Sequence, residues 1–388
     1  MNDTNKVKEE KTINALIASN TFDFLLRYKL NLATRLSQYG IKVYLGAPNI
    51  TGRNKNNEIK ENDIELLDFG NKRKGLLAMY NIYKSLINFK RNNPNSVIIT
   101  HTVYLNIIAI LILYFSPRNK NRFFIFVSGF GPSLIRKSLK YILFGKLYIS
   151  SLRTISNNPK ATVVTLNLED KNLIQDFIPD RKVLLYREGG LTKKELRLNE
   201  KNFEKIESRR INVGYLGRFL SEKGVVDILN VIDMSKQLGL DFNYYLGGNE
   251  DLQNKSSYNL NNMRAMVSNN ATIEINPSYE SFFEKIDILL FPSYREGHPL
   301  YLFRSMAYGV IPITYPNPGN TVDVIHNFNG IITPSSTVTG LLAGLIELNN
   351  DRKKLIELSK NAQRYSKNFS QDKCDDNFIR LMKNQLSN

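Results

Sequence analysis

The stretch DILLFPSYREGHPLYLFRSMAYGVIPITY, residues 287–315, decides how the chain is read. The apolar run Ile286–Phe291 reads as a buried strand that stops at Pro292-Ser293. A loop carrying Glu296 follows. A helix then begins near Pro299, a residue favoured in a first helical turn. The next apolar run, Ile311–Thr314, is again a strand. Strand, loop, helix and strand in that order are the unit of a parallel α/β sheet.

The same alternation runs almost throughout the chain. Besides these two, candidate strands are Ile13–Ala18, Lys42–Ala47, Ser96–Thr100, Arg122–Val127, Ala161–Leu166, Lys182–Tyr186, Ile211–Leu216, Phe242–Leu246, Thr272–Ile275 and Gly330–Thr333. Helical patterns lie between most of them, for example Leu25–Tyr39 and Val225–Leu238. So many strands are too many for one domain. Thr192–Arg210 is charged and lacks apolar rhythm, so the boundary belongs there. The expectation is two doubly wound, Rossmann-like domains, residues 1–195 and 205–365, with a terminal helix in 366–388 packing back on the first. A ligand would sit in the cleft at the carboxyl ends of the strands.

A length of 388 residues agrees with two or three domains. One cysteine, Cys374, excludes an internal disulfide framework and a four-cysteine zinc site. His101, His298 and His326 lie far apart and offer little to a metal, so none is expected. The opening MNDTNKVKEEK has no apolar core of a secretory signal, which points to the cytoplasm. Val97–Phe115 is largely apolar but contains Thr100, His101, Thr102 and Asn106. It reads as a strand, a turn at His101-Thr102 and a buried helix rather than a membrane span.

The net charge of +17 is uneven. Residues 1–190 hold 29 Lys and Arg against 14 Asp and Glu, and residues 191–388 hold 24 against 22. That asymmetry points to an anionic partner for the first half, nucleic acid or an anionic membrane. No arrangement of basic and aromatic residues forms a nucleic-acid module, which leaves the membrane.

After strand Ile211–Leu216 come Gly217, Arg218, Lys223 and Gly224. Gly217 lets the chain leave the strand tightly, and two cations at the carboxyl edge of a sheet suit a diphosphate. The free backbone N–H groups near Gly297 and His298 make a second anion site. Glu296 beside it would repel a phosphate but accept hydroxyls from a sugar. Together these residues ask for a sugar diphosphate.

The order Gly217-Arg218-x4-Lys223-Gly224, then Leu246-Gly247-Gly248-Asn249, then Pro292-Ser293-x2-Glu296-Gly297-x-Pro299-x6-Met306-Ala307-x-Gly309, resembles the retaining glycosyltransferases of family 4. Pro318-Gly319 and Asn329-Gly330 fit the loop that follows in that family. The resemblance covers roughly Ile211–Pro334 and implies the GT-B fold, two facing Rossmann-like domains. It implies that Arg218, Lys223 and Glu296 are catalytic, and that Gly217, Gly248, Asn249, Gly297, His298, Pro299, Leu300 and Arg304 line the donor site. It also implies a nucleoside-diphosphate sugar as donor and no cofactor or metal. One position departs. The second acid of the family's Glu-x7-Glu motif falls on Arg304, which has no acceptor to offer a ribose. It could meet a phosphate, meet Glu296 or point elsewhere.

The first half is less similar, over pieces of Ile13–Pro132. Leu25-Leu26-Arg27-Tyr28-Lys29-Leu30-Asn31-Leu32 and Val127-Ser128-Gly129-Phe130-Gly131 resemble bacterial capsule and O-antigen members. This implies that Asn20, Arg27, Ser128, Gly129 and Gly131 lie on the acceptor side. The acceptor would be a glycan, commonly lipid-linked at the inner face of the membrane. In Leu134–Arg153, apolar residues recur at helical spacing among Arg136, Lys137, Lys140 and Lys146, a pattern that reads as membrane-facing. Two readings stay open beside glycosyl transfer: a non-catalytic subunit of a glycosyltransferase complex, and a GT-B-fold epimerase.

Overall fold

The computed structural model describes residues 13–50, 57–72, 75–116, 120–130, 139–199, 201, 209–252, 254–267 and 270–387. Seven strands form the first sheet: β1 (Asn14–Ala18), β2 (Lys42–Ala47), β3 (Glu65–Asp68), β4 (Val97–His101), β5 (Arg122–Val127), β6 (Ala161–Thr165) and β7 (Val183–Leu185). Their order is β3-β2-β1-β4-β5-β6-β7, and every pairing is parallel. The second sheet holds β8 (Ile211–Arg218), β9 (Phe242–Asn249), β10 (Ala271–Ile275), β11 (Ile288–Phe291), β12 (Ile311–Thr314) and β13 (Ile331–Ile332), in the order β10-β9-β8-β11-β12-β13. This sheet is also wholly parallel. The central strands are buried on both faces, which is why they read as unbroken apolar runs.

Each sheet reverses winding at its centre, between β1 and β4 and between β8 and β11. These switch points are where an open α/β sheet binds ligands. The chain passes between the domains twice at one place. Leu191 donates to the Phe369 carbonyl and accepts from Gln371 N–H, each at 2.9 Å. Helix Gln371–Ser387 then lies on the first domain. Its Phe378, Ile379 and Met382 share a core with Ala15, Phe124 and Phe126, and Asn31 donates to Asp375 at 2.6 Å.

The structure corrects several sequence expectations. The helix expected over Leu25–Tyr39 is two helices, Phe22–Tyr28 and Leu30–Gln38, broken at Lys29. The break carries the Lys29 side chain inward to Glu188. The edge strand β3 was not expected, because only Leu66 and Leu67 in it are apolar and both are half-exposed. β8 and β9 extend to Arg218 and Asn249, so Arg218 ends a strand rather than standing in a loop. The extension is possible because Gly217 pairs with Gly248, where any Cβ would overlap the Gly217 carbonyl. β4 ends at His101, and helix Val103–Phe115 follows after Thr102 at φ 77°. Among the described residues, no helix is long and apolar enough to cross a membrane.

Candidate functional site

The loop after β8 passes through a short 3-10 turn, Ser221–Lys223, into Gly224, whose φ of 72° is left-handed. A Cβ on Gly224 would overlap the Pro292 carbonyl, so only glycine lets this loop press against the loop after β11. Tyr294 N–H donates to the Glu222 carbonyl at 3.1 Å and ties the two loops together. This contact sets Lys223 against Glu296, and the two form an ion pair. Ser293 Oγ also donates to Glu296 Oε1, at 2.8 Å. The Glu296 backbone is fixed from its other side: its N–H donates to the Pro318 carbonyl at 3.0 Å, and Gly319, at φ 83°, closes on its carbonyl. Sequence elements 73 residues apart are thereby built into one polar centre.

Arg218 does not join that centre. It lies exposed and pairs with Asp251 at 3.0 Å. Asn249, at the end of β9, is exposed beside the Arg218 strand end. Pro299 is the N-cap of helix Leu300–Ala307, and no side chain caps its first turn. Uncapped N–H groups at a helix start can bind an anion, and this turn lies directly after the Glu296 loop.

The first domain reaches this loop directly. A Cβ on Gly297 would lie 2.9 Å from the carbonyl carbon and oxygen of Ser128. Gly129, at φ 81°, sits against the Gly297 N–H. Asn167 Nδ2 donates to the Gly297 carbonyl at 2.9 Å. Asp170, buried, forms an ion pair with Arg295. Burial pushes the Asp170 carboxyl up from its ordinary value, against the pull of Arg295. Ser128 and Gly129 thus meet the donor-side loop across the cleft.

His298 has its side chain fully buried and turned from the anion end. Its Nδ1 lies 2.6 Å from the Glu188 carbonyl and its Nε2 2.6 Å from Asp323 Oδ2. Burial would raise Asp323, but His298 and Arg187 together hold it below its ordinary value. Arg187 pairs with Asp323 and lies over Phe369, 3.8 Å from the ring centroid. The His298 side chain therefore anchors the loop after β11 to the segment 186–190 that follows β7. Glu188 in turn pairs with Lys29, whose ammonium also sits 4.7 Å over the Phe126 ring. Burial lowers the Lys29 ammonium to about 7, against the pull of Asp375.

Arg304 does not pair with Glu296. Its Nε lies 3.6 Å from Glu195 Oε1, and its guanidinium sits 5.1 Å from the Tyr279 ring centroid. Glu195 is buried and also completes a capping box with Thr192. Leu300 packs into the space left by Gly189, at φ 72°. Arg27 reaches from the first domain to Tyr301. Asn20 follows β1 and is half-buried. Gly131, Arg136 and Lys137 lie outside the described residues, as does the Lys140 side chain. Lys146 is exposed on helix Leu139–Thr154. Among the described residues, no group of three or more His, Cys, Asp or Glu is placed to hold a metal.

Sequence reasoning missed Lys29, Asn167, Asp170, Glu188, Glu195 and Asp323. The pair Asn167 and Asp170 carried a signal, an Asn-x-x-Asp helix start directly after a strand; Asn167 does cap helix Leu168–Gln175.

Residues 197–365 match the family model of glycosyl transferases group 1. An uncharacterized glycosyltransferase of Methanocaldococcus jannaschii is 28% identical over 243 residues, spanning 61% of this chain and 62% of that protein. An uncharacterized 41.2 kDa protein in the cps region of Klebsiella pneumoniae is 22% identical over 288 residues, 74% of each chain. The crystal structure of Anabaena HepE in complex with UDP superposes with a TM-score of 0.74 at 12% identity, covering 96% of this chain and 100% of that one. Residues 197–365 are similar to the glycosyl transferases group 1, and the chain has a GT-B fold of two facing Rossmann-like domains.

Proposed function

We propose that the protein is a retaining glycosyltransferase. It would move a sugar from a nucleoside-diphosphate sugar to a lipid-linked glycan, at the inner face of the cell membrane, during synthesis of a surface polysaccharide. The observation that carries the reading is the Lys223–Glu296 pair beside the uncapped first turn of helix Leu300–Ala307, closed over by Ser128-Gly129. The UDP held by the Anabaena neighbour and the cps-region relative support the donor class and the pathway class.

In this reading the donor diphosphate displaces Glu296 from Lys223. The freed carboxylate accepts hydroxyls of the donor sugar and fixes the ring for attack. The bond from the anomeric carbon to the diphosphate oxygen breaks, and the acceptor oxygen bonds to the same face of that carbon. The acceptor proton passes to the departing diphosphate. Lys223 and the helix N–H groups stabilise the charge that builds on that diphosphate, where fixed electrostatics act most strongly. Arg218 contributes by turning from the exposed Asp251 to the diphosphate.

The test is ligand-detected NMR against UDP, GDP, ADP, TDP and CMP, with Lys223→Ala as control. Binding of one diphosphate, lowered in the variant by about tenfold or more, is the expected result. No binding by any of them sinks the reading. That outcome favours a non-catalytic subunit, which is the role suggested by Arg304 standing where a ribose acid is expected.

A further inference from the structure

Two arginines of the cleft, Arg27 and Arg304, have no task in the transfer step above. Arg304 stands in helix Leu300–Ala307, four residues past its first, which is about 6 Å along the axis. Its Nε lies 3.6 Å from Glu195 Oε1, too far for a hydrogen bond. Both atoms are buried and hydrogen-bond no described residue. The side chain is 16% exposed, and with Nε buried its accessible polar end is the pair of Nη groups. Arg27 belongs to the other domain. It lies on helix Phe22–Tyr28, which follows β1, and it is exposed. Its guanidinium reaches the hydroxyls of Tyr28 and Tyr301, and among the described residues no carboxylate pairs with it.

Tyrosines join the two arginines. The Tyr279 ring lies 5.1 Å from the Arg304 guanidinium and 6.0 Å from the Tyr301 ring. Burial raises the Tyr28 hydroxyl and Tyr301 adds to this, whereas Arg27 and Arg304 both pull it down. One phenol thus feels a cation from each domain.

Charge selects the ligand. The two arginines bring two positive charges, and Glu195 returns one negative. One positive charge stays uncompensated among half-buried rings, where a counter-ion is held more strongly than in water. A monoanion closes the balance, and a phosphate dianion overshoots it. The planar guanidinium fork fits a carboxylate at two points, and the tyrosine hydroxyls can donate to its remaining lone pairs. The donor diphosphate has its own cation in Lys223, and Glu296, not Arg304, is the partner of that lysine.

We propose that Arg27 and Arg304 form a clamp across the cleft for the carboxylate of an acidic sugar, a hexuronate, on the donor or on the acceptor. The proposal deepens the reading of sugar transfer and rests on it.

Saturation-transfer NMR of the full chain tests it with two matched pairs. UDP-glucuronate against UDP-glucose probes the donor. Methyl glucuronide against methyl glucoside, each with UDP present, probes the acceptor. In one pair the carboxylate member should bind about tenfold or more tighter, and which pair it is names the source. Arg27→Ala, at an exposed position, should bring that ratio close to one. So should Arg304→Gln with Glu195→Gln, which leaves no buried charge alone. Equal binding within both pairs overturns the proposal, as does a ratio that survives either change. Lys223→Ala should weaken both members of the donor pair alike and keep their ratio. If no nucleotide binds, yet methyl glucuronide is preferred in a way that needs Arg27, the clamp stands and the transferase reading falls. Nucleotide binding with no preference in either pair removes the clamp alone.

Discussion

The two domains share one topology but differ in where their unusual residues lie. In the second domain the exterior is ordinary: exposed large apolar residues such as Leu238, Leu252, Met266 and Phe328 are scattered singly. Its distinctive chemistry is at the sheet edge, where Lys223, Ser293 and Glu296 are mutually paired. In the first domain the outside is distinctive: the neighbouring helices Leu76–Asn92, Val103–Phe115 and Leu139–Thr154 form a three-helix face with Leu76, Tyr80, Leu111, Phe115, Leu143 and Leu147 exposed and with six Lys and Arg but no Asp or Glu in the helices. At its sheet edge Ser19 Oγ, both ring nitrogens of His101 and Thr102 Oγ1 are buried and make no hydrogen bond among the described residues. The second domain also buries unpartnered polar atoms, Asn320 Oδ1 and Arg295 Nε among them, but its Lys223–Glu296 centre is paired, whereas the polar groups at the first domain's sheet edge are bare.

The sharpest way to break that comparison is at Lys29, the cation of the first domain that reaches the interdomain strand. Its side chain is 1% exposed and Glu188 is its ionic partner. Lys29→Met removes the cation and leaves the carboxylate buried, which should cost about 3–5 kcal/mol in denaturant unfolding. Lys29→Met with Glu188→Gln should recover most of the loss, because no buried charge then stands alone. If the single variant is as stable as the parent, the pair does not bind the domains together.

That pair also shows where sequence reading stops. Most of the strands were legible because apolar runs report burial on both sides of a parallel sheet; the half-exposed edge strand β3 was not. Lys223, Gly224, Glu296 and Gly297 were legible because glycines fix the backbone on which the charges stand, and their spacing is local. Lys29 and Glu188 were not, since they are 159 residues apart and nothing near either one marks it as buried. Arg304 was legible as a departure, but its partner was not. Glu195 lies in a charged segment that reads as solvated linker, and only the fold turns it inward. The three-helix face was half legible. The sequence shows cations and apolar residues at helical spacing in Leu134–Arg153. Which side of that helix faces the core depends on Tyr148 and Leu152 meeting Phe130 and Ile125.

A smaller effect follows from the first domain's unsaturated edge. His101 is fully buried, and burial, with Lys29 adding to it, lowers its imidazole well below the ordinary 6.5. The unfolded chain therefore binds a proton near pH 6.5 that the folded chain refuses. The sign is fixed: this stability is present above pH 6.5 and is lost as the pH falls below it, at up to about 1.4 kcal/mol per pH unit. Thermal unfolding followed from pH 7.5 down to 5.5 should show a falling midpoint, and His101→Leu should flatten that slope. An unchanged slope in the variant would mean that the folded domain takes up the proton after all.

The smallest effect separates the two exteriors. Leu143→Asp replaces an exposed apolar side chain on a helix whose core contacts are made by other residues. Its cost to stability should stay within about 0.5 kcal/mol, the range of surface substitutions. The same exchange at Leu238, an exposed residue of the second domain, should be equally mild. Stability therefore cannot tell the two positions apart, and vesicle binding should, because only Leu143 stands on helices that carry several exposed apolar residues with cations and no acid. A loss of several kcal/mol at Leu143 would place that leucine in the core of the fold. Equal vesicle binding by both variants would reduce the three-helix face to scattered exposure of the kind the second domain already shows.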